Sequence, residues 1–268
     1  RIDTLARLFD SYNVYVICPF DDKVVISHPI NFIYSNRLNN SKLNFTDDSI
    51  LLMSIVYWRF RLSPKILLAF TIKQIFISGL AFKFSRTRQV KTFTGLGYTF
   101  VYDSFLSRVL RLGLSVSLSA NDILIAQNSE DKQVLESFTG NRRAIGLIKG
   151  SGVTLKEFVC DTPKKVVHKR ILWVGRLISQ KGIQLLLDNF ILVEDYLASN
   201  GLTLTLVVDI DQNNPDRLNE KILDGALQSK VFNVLYSPQS MAEIYQNHDI
   251  LLNFSFREGL SRVILEAM

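Results

Sequence analysis

ILWVGRLISQKG (residues 171–182) opens on four apolar residues, breaks at Gly175-Arg176, and reaches Lys181-Gly182 before an apolar helical pattern starts. A short apolar run bounded by glycine and followed by helical periodicity reads as a buried strand handing over to a helix. Open α/β sheets bind ligands outside the carboxyl ends of such strands. Gly175 lets backbone approach a phosphate there, and Arg176 can fork onto phosphate oxygens. Lys181 adds a point charge near a helix N-terminus that itself favours anions. An ordinary surface loop with two solvated cations would carry the same residues.

The same alternation extends in both directions. Upstream, NVYVIC, INFIYS, ILLAF, QVKTF, ILIAQ and AIGLI read as strands. Helical patterns separate several of them: one from Thr46-Asp47-Asp48 as candidate caps through about Arg61, one over 73–84, one near 102–116, and one capped by Asn128 or Ser129. Downstream come a helix over 182–199, strand LTLTLVV, a helix after Asn214-Pro215, strand VFNVLY, helix MAEIYQN, strand ILLNF and a final helix GLSRVILEAM. Strands alternating with helices predict parallel α/β architecture. The polar stretch DTPKKVVHKR divides it into an N-terminal Rossmann-like domain over 1–160, a linker over 161–170, and a second such domain over 171–268. The chain begins and ends inside helical patterns, so it is expected to be a fragment with both domains incomplete.

REGLSRVILEAM (residues 257–268) adds two carboxylates. Leu260, Val263, Ile264 and Ala267 fall at helical spacing and are expected to bury one face. Glu258 precedes that helix and Glu266 follows about two turns later. One carboxylate can accept hydrogen bonds from sugar hydroxyls and the other from the paired hydroxyls of a ribose. The plainer readings are a charge complementing the helix dipole at Glu258 and an i, i+4 pair between Glu266 and Arg262.

Charge is distributed unevenly. Residues 1–165 carry 22 Lys and Arg against 13 Asp and Glu, whereas residues 166–268 carry 9 against 12. Between Ser49 and Arg111, ten cations (Arg59, Arg61, Lys65, Lys73, Lys83, Arg86, Arg88, Lys91, Arg108, Arg111) accompany one acid, Asp103, among many aromatics. That stretch reads as a surface for an anionic membrane or phosphorylated lipid, or as solvated helix faces; no nucleic-acid module accompanies it. Cys18 and Cys160 lack metal spacing and fit a reducing cytoplasm. The most apolar window, residues 66–82, is interrupted by Lys73-Gln74 and is too short to span a bilayer. Asp209-Ile210-Asp211 reads as a polar turn, with a divalent-metal pair as the alternative. His28, His168 and His248 form no ligand pair.

Taken together, VGRLISQKG and REGLSRVILEAM resemble the donor domain of retaining glycosyltransferases of family 4, which have the GT-B fold. IAQNSEDKQVLESF, GSGVTLKEF and TFTGLGYTF resemble family segments in the same order, and LLAFTIK with FTGLGY is similar to bacterial members that build lipopolysaccharide, capsule and exopolysaccharide. The resemblance covers most of residues 65–268. It implies two Rossmann-like domains with parallel sheets facing a cleft, and transfer of a hexose or N-acetylhexosamine from a UDP- or GDP-linked donor to a lipid-linked glycan at the inner face of the cytoplasmic membrane. It further implies that Arg176 and Lys181 hold the donor diphosphate beside Gly175, that Glu258 orients the sugar near the backbone of Gly259, Leu260 and Ser261, and that Glu266 binds the ribose. Lys73, Gly95 and Gly97 would face the acceptor, and neither a metal nor another cofactor is expected. The sequence departs from the family at Ser261, where proline is frequent, at Thr154, where aspartate is common, and after the strand ending at Asp209-Ile210-Asp211, where glycine is usual. A sugar-nucleotide epimerase of the same fold, or a nucleotide-sugar-binding scaffold without turnover, are the competing readings.

Overall fold

The structure is a computed structural model of the 268-residue chain. It describes residues 12–18, 31–35, 44–96, 100, 104–141, 144–150, 152–158, 170–212, 214, 216–256, 258 and 260–268. Its contacts divide the chain into two compact units, Arg1–Ser151 and Gly152–Met268. The expected opening helix, the run VVIS, Cys160 and the linker up to Lys169 lie outside the described residues.

In the first unit, β1 (Tyr15–Cys18) pairs in parallel with β2 (Asn31–Tyr34). Helix α1 (Phe45–Leu62), β3 (Ile66–Phe70), α2 (Ile72–Phe82), β4 (Arg88–Phe93), α3 (Phe105–Ser117), β5 (Ile123–Ala126), α4 (Ser129–Phe138) and β6 (Ile145–Leu147) follow. Strands β3 to β6 form one parallel sheet in chain order. Such ordering requires a crossover between each pair of neighbours, and α2, α3 and α4 supply them. The cap of α1 is Asn44, not the Thr46-Asp47-Asp48 group: the Asn44 side chain accepts from the Thr46 amide. Asn128 caps α4 as expected, accepting from the Asp131 amide at 2.6 Å. Ile75, Phe93, Leu96, Leu114, Leu124 and Leu135 are buried together on the sheet, while Leu51, Ile55, Ile77, Ala81 and Phe82 join α1 to α2.

Two of the ten cations expected on a basic surface are not on it. Lys73 pairs with Asp48 at 2.7 Å and is 9% exposed. Lys91 has no exposed side-chain area and pairs with Asp122 at 2.6 Å. Its alternation along β4 points it inward, where an unpaired ammonium would be prohibitively costly, so a carboxylate and the Ser117 carbonyl accompany it.

The second unit contains β7 (Arg170–Arg176), α5 (Ile183–Leu187), α6 (Phe190–Ser199), β8 (Thr203–Asp209), α7 (Asp224–Gln228), β9 (Phe232–Tyr236), α8 (Met241–Gln246), β10 (Ile250–Leu252) and α9 (Arg262–Ala267). Its sheet is parallel in the order β10-β7-β8-β9, with β7 central. Trp173, Leu177, Ile183, Leu204, Leu206, Val208 and Phe232 fill the core beneath it. Three expectations need correction. The helix expected over 182–199 is two helices broken at Asp188-Asn189. The helix expected after Pro215 begins only at a short 3-10 turn, Glu220–Leu223, because Asp211, Asn214 and Asp216 make local polar contacts instead. The final helix starts at Arg262, and none of its residues is fully buried; Ile264 and Ala267 line an open cavity of about 570 Å³ beside β10.

Among the described residues, no helix is long and apolar enough to cross a membrane.

Candidate functional site

Register puts the carboxyl ends of β7 and β8 level, because Arg176 pairs with Asp209 across the ladder. The two loops that leave those ends therefore run side by side. The Leu177 amide donates to the Asp209 carbonyl at 2.9 Å, Ile178 and Arg217 form an antiparallel bridge, and the Ser179 amide donates to the Asp216 carbonyl. The Gln180 side chain adds a bond to the Asp216 carboxylate at 2.9 Å. This lacing fixes the segment carrying Arg176 and Lys181 from one side.

The other side is fixed by the loop after β10. Gly182 sits at φ +70°, a left-handed conformation that glycine adopts without penalty. A Cβ built there would lie 2.2 Å from the Phe254 carbonyl oxygen, so only glycine admits the two backbones at this separation. The Phe256 amide donates to the Gln180 carbonyl at 3.0 Å. That close approach delivers Glu258 to Lys181, 77 positions earlier, and the ammonium donates to its carboxylate. The Ser255 hydroxyl donates to the same oxygen at 2.7 Å. Both side chains remain about one-fifth exposed, so the pair opens to solvent.

Arg176, the last residue of β7, meets Asp211 at 3.1 Å, with nearly half of its side chain exposed. Gly175 lies over the ring of Trp173, where an added Cβ would be crowded at 3.0 Å. Glu266 is mostly buried. It accepts from Arg262 at 2.9 Å, the i, i+4 pair expected as its plainer role, and from the Tyr245 hydroxyl at 3.1 Å. Burial, reinforced by the charge of Glu266, pushes the Tyr245 phenol well above its ordinary range, so it remains a donor. Ser261 is buried and Leu260 half-buried; Gly259 lies outside the described residues.

The structure thus brings Lys181 and Glu258 into contact and gives Arg176 and Glu266 separate partners. Sequence reading did not single out Tyr245, Ser255, or Asp211 as partners of these groups. Nothing in local spacing marks Tyr245 or Ser255, and only the unusual acids after β8 hinted at Asp211. His248 bridges the Ile244 carbonyl and the Thr205 hydroxyl, the role of a satisfied structural histidine. No group of three or more His, Cys, Asp or Glu side chains suited to a metal occurs among the described residues.

In the first unit, Gly95 follows β4 at φ +138°, and a Cβ added to it would meet no atom within 4 Å. Gly97 lies outside the described residues. Lys73 is in the first turn of α2, held by Asp48. Immediately before that helix Thr71 is held at φ +68°, a costly conformation for a β-branched residue, at the carboxyl end of β3 where α/β sheets receive ligands.

Known proteins share this fold. The family model described as Glycosyl transferases group 1 matches residues 168–268. No curated protein matches the chain. Among solved structures, a sucrose-phosphate synthase (tll1590) from Thermosynechococcus elongatus superposes with a TM-score of 0.75 at 15% identity, covering 98% of this chain and 70% of that one. Anabaena Alr3699/HepE in complex with UDP and glucose gives a TM-score of 0.73 at 16% identity, covering 99% and 72%. An E. coli protein described as trehalose-6-phosphate bound with UDP-2-fluoro glucose gives 0.66 at 11%, covering 94% and 73%. The chain has the GT-B fold: two Rossmann-like units built on parallel sheets.

Proposed function

We propose that the protein is a retaining glycosyltransferase that moves a hexose or N-acetylhexosamine from a UDP-linked donor to a lipid-linked or growing surface-polysaccharide acceptor. The observation that carries the reading is the contact between Lys181 and Glu258 at the carboxyl end of β7. An ammonium and a carboxylate side by side match the two ends of the bond to be broken: the cation faces a diphosphate leaving group, the carboxylate a sugar hydroxyl. Arg176 supplies the second cation, with Gly175 and the backbone of Gly259, Leu260 and Ser261 around the donor. Glu266 takes the paired ribose hydroxyls.

Rate acceleration in this scheme comes from preorganised positive charge as the leaving group departs and from fixing the acceptor for attack. No protein nucleophile and no metal is assigned. Similar structures described with UDP or a UDP sugar support the choice of donor. Lys73, Gly95 and Gly97 are assigned to the acceptor side, and the basic first unit to the cytoplasmic face of an anionic membrane.

Calorimetric titration with UDP tests the site. Lys181→Ala and Glu266→Ala are each expected to weaken binding by about 1.5–3 kcal/mol, the cost of losing a charge-assisted hydrogen bond. Unchanged affinity in both variants removes the assignment. Labelled-sugar transfer to a membrane lipid extract then separates a transferase from an epimerase, which would bind the donor and leave the extract unlabelled.

A further inference from the structure

Helix α3 is packed with its apolar stripe outward. Phe105, Val109, Leu112 and Val116 fall at i, i+4, i+7 and i+11, one face of a helix, and all four are exposed, Phe105 at 84% and Leu112 at 68%. The side facing the unit holds Ser107 and Ser117, both buried, together with Leu114; the Ser117 hydroxyl donates to the Leu114 carbonyl. Gly113 lets the helix approach Phe76 of α2 closely. The inner face carries Leu114 beside two serines, while four large apolar groups stand outside, so folding alone does not account for the outer face.

Its surroundings are cationic. Arg108 is exposed between Phe105 and Val109, and Arg111 lines an open pocket with Gln133 and Ser137. At the helix C-terminus the Lys83 ammonium donates to the Val116 carbonyl at 2.8 Å, and the next residue, Phe84, is 89% exposed, with Arg86 and Arg88 exposed beyond it. The stretch Ser49 to Arg111 contains a single acid, Asp103. Thirteen residues make a rod of roughly 20 Å, too short to span a bilayer but long enough to lie along one.

We infer that the outer face of α3, extended by Phe84, lies in the interface of an anionic lipid bilayer. Its apolar stripe enters the headgroup boundary while Arg108, Arg86 and Arg88 meet lipid phosphates. A second copy of the chain fits less well, because two such faces would bring the arginines of one against those of the other. The inference gives the proposed membrane contact a place in the fold, rests on that contact for its partner, and is independent of the donor site.

The test is co-sedimentation of the protein with vesicles of phosphatidylglycerol and phosphatidylethanolamine, against vesicles of phosphatidylcholine alone. Binding is expected only to the anionic vesicles and is expected to fall as salt rises. Leu112→Glu and Val109→Glu are each expected to lower the partition coefficient about tenfold or more while leaving helical content and UDP affinity unchanged. Anionic binding that persists undiminished in both variants overturns the assignment to α3 and leaves membrane contact standing. No binding to either vesicle overturns the membrane contact itself and, with it, this inference. A wild-type dimer in light scattering that Leu112→Glu converts to monomer, without any change in vesicle binding, overturns it in favour of a second copy.

Discussion

Asp211 holds Arg176 by one carboxylate oxygen at 3.1 Å, and that guanidinium is the one assigned to the donor diphosphate. On that assignment the acid competes with the donor for the same cation. Exposed pairs of this kind contribute about 0–1 kcal/mol, so the competition is modest. Asp211→Asn is expected to tighten UDP binding by about two- to fivefold at low salt, a gain that shrinks as salt screens the site. Asp209→Asn, which keeps the Asp211 pair, is the control. Equal affinities for Asp211→Asn and wild type in the same titration would remove the competitive role. Residue type and spacing singled out the groups proposed for the donor side, at Gly175-Arg176, Lys181, Glu258 and Glu266. They did not reveal that Arg176 answers to Asp211, or Glu266 to Tyr245, because those partners lie 35 and 21 positions away and are chosen by packing.

Among the elements, the turn at Gly182 matters most, since it lets the loop after β10 reach the loop after β7. Gly182→Ala would impose a left-handed conformation costing about 1–2 kcal/mol and would also force the Phe254 backbone away. Gly201, at φ +62° with open space around its Cβ position, isolates the conformational cost alone. Gly182→Ala is therefore expected to lower the unfolding midpoint further than Gly201→Ala, and to weaken UDP binding where Gly201→Ala does not. A matched loss of stability with UDP affinity intact would separate this turn from the site. In helix α3, FLSRVLRLGLSVS shows its amphipathic period plainly, but periodicity is symmetric with respect to inside and outside. Only the packing of Gly113 on Phe76 and of Leu114 in the core decides that Phe105, Val109, Leu112 and Val116 face out. The final helix differs for the same reason: its apolar spacing was legible, whereas its start at Arg262 and its half-buried face were not.

For the molecule as a whole, the fully buried pair of Lys91 and Asp122 ties β4 to the turn before β5. The Asp122 carboxylate also accepts from the Ser119 amide at 2.7 Å, so the end of α3 and its following turn are organised around one buried charge. Gly79 of α2 leaves room for this group; a Cβ there would lie 2.5 Å from the Ser117 carbonyl. Removing one partner strands the other. Lys91→Met is expected to cost about 3–5 kcal/mol in denaturant unfolding, and Lys91→Met with Asp122→Leu to recover much of it. A double variant no more stable than the single one would show that the turn, not the charge, is what the pair maintains.

Strand-helix alternation and the division into two parallel α/β units were legible along the chain, as were the residue types and spacing on which the proposed donor site rests. These are encoded within windows of a few residues, where apolar period, glycine and capping groups act locally. Folding in three dimensions settled what those windows cannot contain. It set the meeting of Lys181 with Glu258 across 77 positions, the burial of Lys91 among cations that otherwise read as surface, and the outward turn of the apolar face of α3. Each depends on which distant backbone comes close enough to solvate a charge or cover a side chain, and sheet register and helix packing govern that.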